Sequence, residues 1–112
     1  MNSICIFGVF VADLCFFAEK IPSKGETVLG KSHLVGPGGK GSNQAIAAAR
    51  LNGDVNFITK VGKDNHADTA LKLYKDSGVK TSSIIQDENL PTGVAGIMID
   101  EDGNNAINII PG

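Results

Sequence analysis

Charge of either sign is nearly balanced away: 10 lysines and arginines face 12 aspartates and glutamates, a formal −2 over 112 residues. The chain therefore has no basic field to draw nucleic acid and no charged tail to hold a membrane surface, and both kinds of partner are excluded. A long hydrophobic run is missing as well. The apolar N-terminus MNSICIFGVFVADLCFF is interrupted by Asp13, short of the roughly 20 residues of a membrane span. It has no basic segment ahead of it, so no targeting signal is expected and the cytoplasm is the default location. Cysteine is scarce. Cys5 and Cys15 sit in apolar runs without metal-type spacing, which predicts reduced core thiols rather than a disulfide or a ligand pair. His33 and His66 are far apart with no cysteine near them, so a zinc site is not expected and no metal ligand is assigned. Tryptophan, repeats and low-complexity tracts are absent, and the remaining composition, 42% hydrophobic and 20% charged, is that of a soluble globular protein. The length allows one small domain or a piece of a larger one.

What is present alternates between strand and helix patterns. Residues 4–10 form a continuous apolar stretch, the pattern of a strand buried on both faces of a parallel sheet. Residues 14–17 allow a further short strand. The polar segment 19–30, broken by Pro22, Gly25 and Gly30, reads as loop with a short edge strand, and residues 31–35 extend toward a glycine cluster. The alanine-rich SNQAIAAARL, 42–51, predicts a helix stopped near Asn52-Gly53, with Ala45, Ala48 and Ala49 as a face that can approach a sheet closely. Residues 55–61 predict the next strand and 67–77 a second helix, with Ala70, Leu71 and Tyr74 at helical spacing and Gly78 as its stop. Two apolar runs, 94–99 and 106–110, flank DEDGNN, whose Asp102-Gly103 marks a hairpin. This order implies an α/β fold with an accessory β element. The chain stops at Pro111-Gly112, directly after a strand that nothing covers, so a longer natural protein is expected.

The glycine cluster GPGGKGSN, 36–43, fits G-x-G-x-x-G. The dinucleotide form of that motif joins the first strand to the first helix and is followed about 20 positions on by an acid at the tip of the second strand. Here a long polar excursion separates the first strand from the glycines, and the strand 55–61 runs into Gly62 with no acid; Asp54 precedes it. The phosphate-loop form G-x-x-x-x-G-K-[ST] fails because Gly41 follows Lys40. What remains is chemistry. Gly38, Gly39 and Gly41 let a ligand reach backbone N–H groups at a helix N-terminus, while Lys40 and Asn43 add a cation and a two-faced amide. Such a site suits a polyhydroxylated molecule at least as well as a phosphate, and the same glycines would also serve a turn needed only for tight packing.

GPGGKGSNQAIAAARLNGDVNFITKVGKD, together with FGVFVAD, PSKGETVLG and LPTGVAGIMIDEDGNNAINIIPG, resembles the N-terminal part of ribokinase-like (PfkB-type) carbohydrate kinases in motif order and spacing over essentially the whole chain. The resemblance implies the N-terminal part of a ribokinase-like α/β/α sandwich with a small β lid made by residues 14–35 and 92–110. It implies substrate contacts from Asp13, Gly38, Gly39, Lys40 and Asn43, so that the glycines hold the acceptor sugar and not the nucleotide. The activity implied is ATP-dependent phosphorylation of a hydroxyl of ribose or a related pentose, with ATP and Mg2+ as cofactors, a monovalent cation as an option, and a homodimer paired through the lid. Two departures stand out. Val11 occupies the position where this family usually has Asn, and a valine offers a hydroxyl no hydrogen bond, which counts against ribose itself. Ala67 stands where Gly is common, with consequences confined to the entry of the second helix.

The family's G-A-G-D segment, which supplies the base and the anion hole, is not in the chain, nor are its acidic metal motif and adenine pocket. No catalytic or cofactor-binding residue is therefore assigned, and the ATP-binding part is expected outside these residues. Asp64 and Asp68 are read as surface acids that favour the dipole of the second helix. The 112 residues alone are expected to be inactive; a stand-alone sugar-binding or dimerisation module is the alternative.

Overall fold

A computed structural model describes residues 2–112. Nine elements follow in order: β1 (Ser3–Phe7), β2 (Val11–Phe17), β3 (Ser32–Gly38), α1 (Lys40–Arg50), β4 (Asp54–Val61), α2 (Asn65–Ser77), β5 (Ile84–Gln86), β6 (Gly93–Ile99) and β7 (Asn105–Ile110). They form two sheets. One is parallel, in the order β1-β4-β5; the other is mixed, in the order β3-β2-β6-β7, with β2 and β6 parallel and both outer strands antiparallel.

The first correction concerns the apolar run 4–10. It is not one strand: β1 ends at Phe7, the chain leaves the parallel sheet, and Val11 begins β2 in the other one. Phe10, at the crossing, turns inward and meets Tyr74 edge-on, ring centroids 6.2 Å apart. The strand expected at 14–17 is therefore the second half of a seven-residue strand. Nor is β1 buried on both faces. Alternation along β4 sends Val55, Phe57 and Val61 under the two helices, and they form the core with Ala45, Ala49, Ala70 and Tyr74. The opposite face of that sheet is uncovered, which leaves Phe7 84% exposed and Cys5 exposed rather than in the core. Cys15 is half-buried, and both thiols are free.

Both helices lie where the alanine pattern and Tyr74 spacing put them, each extended by two residues at its start. α2 opens on Asp64, whose side chain accepts from the Ala67 N–H at 2.9 Å, and closes on left-handed Gly78. The buried Ser42 and Tyr74 hydroxyls hydrogen-bond at 2.7 Å, riveting α1 to α2. Residues 19–30 contain no strand; Glu26 ties the loop together through Lys20 and the Ser23 N–H. The hairpin β6–β7 turns at Asp100, which accepts from the N–H groups of Asp102 and Asn104. β5 was not foreseen: at three residues, Ile84–Gln86 is too short to show a period. No helix is long and apolar enough to cross a membrane among the described residues.

Candidate functional site

Register decides which side chains of the mixed sheet share a face. Directly paired residues point the same way, so Val11 and Asp13 stand with Gly36 and Gly38 of β3, Ala95 and Ile97 of β6, and Ile107 and Ile109 of β7. That face forms one wall of a cavity of about 600 Å3, and the start of α1 forms the other, with Gly39, Lys40, Gly41 and Asn43 in its lining. Four of the five residues expected at the site, Asp13, Gly39, Lys40 and Asn43, thus line one cavity. The fifth, Gly38, acts by what it lacks. A Cβ on Gly38 would stand 2.2 Å from Asp13 Oδ1, so only glycine leaves the carboxylate where it is.

Gly39 joins the two walls. Its φ of +94° belongs to the region that side chains avoid, and a Cβ there would lie 2.2 Å from the Val9 carbonyl oxygen. This bend ends β3 and starts α1 one residue later. The first turn of the helix points free N–H groups toward the cavity, since the Asn43 N–H is the first to reach back, to the Gly39 carbonyl. Burial pushes the Asp13 carboxyl up from its ordinary value of 3.8. Among the described residues, no side-chain hydrogen bond or ion pair engages Asp13, Lys40 or the Asn43 amide. A carboxylate, an ammonium and an amide therefore face one cavity with their bonding capacity unspent. Everything else on the strand wall is apolar.

The whole chain, residues 1–112, matches the model of the pfkB family of carbohydrate kinases. The chain belongs to that family. It is 41% identical to the ribokinase of Bacillus subtilis, over all of its own length and 38% of the relative's. It is 37% identical to the deoxyribokinase of Salmonella typhi, over 97% of its length and 36% of the relative's. Among solved structures, the Arabidopsis thaliana ribokinase complexed with ribose and ATP superimposes with a TM-score of 0.87 at 34% identity, covering 96% of this chain and 35% of that one. The chain thus spans little more than a third of the pfkB-family relatives it matches, and the part it spans is their N-terminal α/β portion.

Two features of the site were not anticipated. The segment 92–110 is expected as hairpin and lid, but no residue of β7 is singled out; Ile107 and Ile109, continued by Pro111, wall the cavity, and their period-two spacing was the available signal. Asp64 is more than a surface acid. Besides capping α2, its Oδ2 accepts the Thr92 N–H at 2.9 Å and its Oδ1 the Thr92 hydroxyl at 2.7 Å, while Thr92 Oγ1 accepts the Gly62 N–H at 2.9 Å. Thr92 immediately precedes β6, so this clasp pins the mixed sheet to the end of β4 and the start of α2. No spacing rule links an acid to a threonine 28 positions away. Asp68 sits exposed in the first turn of α2, as expected.

Proposed function

We propose that the full-length protein phosphorylates a hydroxyl of a pentose, ribose or deoxyribose, at the expense of ATP, and that these residues hold the acceptor sugar. The observation that carries this is the unpaired Asp13 carboxylate facing the start of α1 across a cavity that is otherwise apolar on the strand side. A carboxylate accepts hydrogen bonds from two adjacent hydroxyls at once, and its charge strengthens both. Gly38 leaves room for the Asp13 carboxylate, Gly39 and Gly41 let a sugar approach the backbone, Lys40 and Asn43 supply donors from the opposite side, and the C–H edges of a furanose pack on Ala95, Ile107 and Ile109. Ribose and ATP are the ligands named for the Arabidopsis structure, and ribokinase and deoxyribokinase are the names of the relatives.

In this proposal the mixed sheet is the lid, moving over the sugar and keeping water from the transferred phosphoryl group. Its outer face leaves Phe16, Val35, Met98 and Ile110 partly exposed, which favours pairing with a second copy of the chain. Among the described residues no three His, Cys, Asp or Glu side chains are grouped to hold a metal ion. In this proposal the ATP and Mg2+ sites and the catalytic base belong to the rest of the full-length protein. Asp13→Ala in the full-length protein is expected to weaken pentose binding by about 1–3 kcal/mol, the scale of a lost charge-assisted bond, in calorimetric titration. Unchanged affinity would remove Asp13 from the sugar site.

A further inference from the structure

The strands of the mixed sheet are fixed to the body of the protein at one end, but not all in the same way. β2 follows β1 after only Gly8, Val9 and Phe10, and β3 runs through Gly39 straight into α1. β6 arrives from β5 through the loop 87–92, and there the clasp does what a short link does for the other two. Thr92 is 3% exposed, and its hydroxyl is bonded on both sides: it donates to Asp64 Oδ1 and accepts the Gly62 N–H. Asp64 also accepts the N–H groups of Thr92 and Ala67. The backbones around these groups are in contact. A Cβ on Gly62 would lie 2.6 Å from the Leu90 carbonyl oxygen, and one on Gly93 2.6 Å from that of Pro111. The start of β6 and the residue after β7 are thus gripped at one point. Just beyond it, Ala95 pairs with Asp13 and Ile109 in the cavity wall, and Pro111 itself lines the cavity. Gly62, Asp64 and Thr92 do not line it, so they act on it through the strands they hold. A shift of β6 would leave the buried Gly62 N–H and the Asp64 carboxylate short of partners, which is costly enough to hold the strand in one place.

We infer that Asp64 and Thr92 are positioning residues for the transfer: their clasp sets where β6 and β7 stand opposite the start of α1, and with them the width of the cavity. The inference rests on the sugar-kinase reading above and deepens it. A displacement of about 1 Å, caused far from the chemistry, is enough to cost about 100-fold in rate. Two effects follow when the clasp is cut. The sugar is held less well, and water gains access to the phosphoryl group that the sheet should keep dry. Part of the ATP then passes its terminal phosphoryl group to water, giving ADP and inorganic phosphate, instead of to the sugar hydroxyl, giving ADP and sugar phosphate. A purely structural loss reduces the amount of folded protein and alters neither the KM for sugar nor the proportion of the two products.

The test compares Thr92→Val, which keeps the shape and removes the hydroxyl, with Thr92→Ser, Asp64→Asn and Tyr74→Phe in the full-length protein. Tyr74→Phe breaks the Ser42 bond between the helices and serves as a destabilised control away from the clasp. Ribose and 2-deoxyribose are the probes, read by calorimetric affinity without ATP and by the amounts of ADP and sugar phosphate formed with it. The unaltered protein should form the two products in equal amounts. Thr92→Val and Asp64→Asn are expected to lower kcat/KM for the sugar about 10- to 100-fold, to weaken sugar binding, and to form ADP in excess of sugar phosphate. Thr92→Ser, which keeps the hydroxyl, should restore affinity and product balance, and Tyr74→Phe should leave both unchanged. Unaltered affinity and product balance in Thr92→Val and Asp64→Asn would overturn the inference while leaving the kinase reading in place. So would the same shifts in Tyr74→Phe, since they would then follow from lost stability alone. Sugar binding weakened by both clasp variants, in a protein that never phosphorylates a pentose, would support the positioning role and sink the kinase reading. No binding of either pentose by the unaltered protein would sink both.

Discussion

The two sheets use the same apolar residue types to opposite ends. In the parallel sheet Val55 and Phe57 lie fully buried beneath α1 and α2. Only one end of the mixed sheet, at Ala12 and Val94, joins that core, and on its cavity side Leu34, Ile107 and Ile109 remain more than half exposed. A sheet face under helices contributes to stability through the apolar area it removes from water. A face left open contributes little to folding but stays available to a ligand or a partner. Stability and recognition are thus divided between the sheets, and the segment Gly38-Gly39-Lys40 stands on the border.

The comparison is broken most directly by truncating one large side chain in each sheet region. Tyr74 is fully buried, packs edge-on against Phe10 and Phe57, and holds the Ser42 hydroxyl. Tyr74→Ala is expected to cost about 3–5 kcal/mol in urea unfolding of the full-length protein, the range for aromatic truncation in a core. Ile107, 53% exposed, is expected to cost less than about 1 kcal/mol as Ile107→Ala while weakening sugar binding. Equal losses of stability would show that the mixed sheet also bears the fold.

The border is sharpened by Gly39→Ala. The methyl would meet the Val9 carbonyl, and the backbone would have to hold a side chain at φ +94°. Strain of this kind costs about 1–3 kcal/mol. The protein can relieve it only by turning α1 away from β2, which would part Lys40 from Asp13. The expected result is a fall in unfolding free energy of that size and loss of measurable pentose binding; retained affinity would show that the two walls bind independently.

The sequence made the periodic elements readable and the joints between them unreadable. Alanine spacing placed the first helix, the spacing of Ala70, Leu71 and Tyr74 with Gly78 as the stop placed the second, and Asp102-Gly103 placed the hairpin. The run 4–10 misled because a buried strand and two strands sharing a bend have the same hydrophobic signature. Only the contacts of Gly39 with Val9 and of Phe10 with Tyr74 separate them. The residues gathered at the cavity were legible through motif resemblance, since Asp13 and Lys40 come from different elements and no local period relates them. The reason for Gly38 was not legible, because it is the space occupied by Asp13. Cys5 failed for another reason: an apolar strand predicts burial only where something covers both faces.

A smaller effect than that of Gly39→Ala is expected in the clasp that holds the sheets together. Burial raises the Asp64 carboxyl, but the hydrogen bonds it accepts from Thr92 and Ala67 outweigh that and hold it below its ordinary value of 3.8. A depressed carboxyl contributes stability that is fully present above the unfolded value and fades as pH falls through the lower folded one. Asp64→Asn puts an amide donor against one of the Thr92 donors, so at pH 7 it is expected to cost about 1–2 kcal/mol. In the unaltered protein the clasp weakens as Asp64 takes up a proton, whereas the Asn variant has no proton to take up. The stability gap between the two proteins should therefore stay constant from neutral pH down to the unfolded value and narrow only below it, in urea midpoints measured across that range. A gap that persists at the lowest pH would mean that the clasp works through packing of Thr92 rather than through the charge on Asp64.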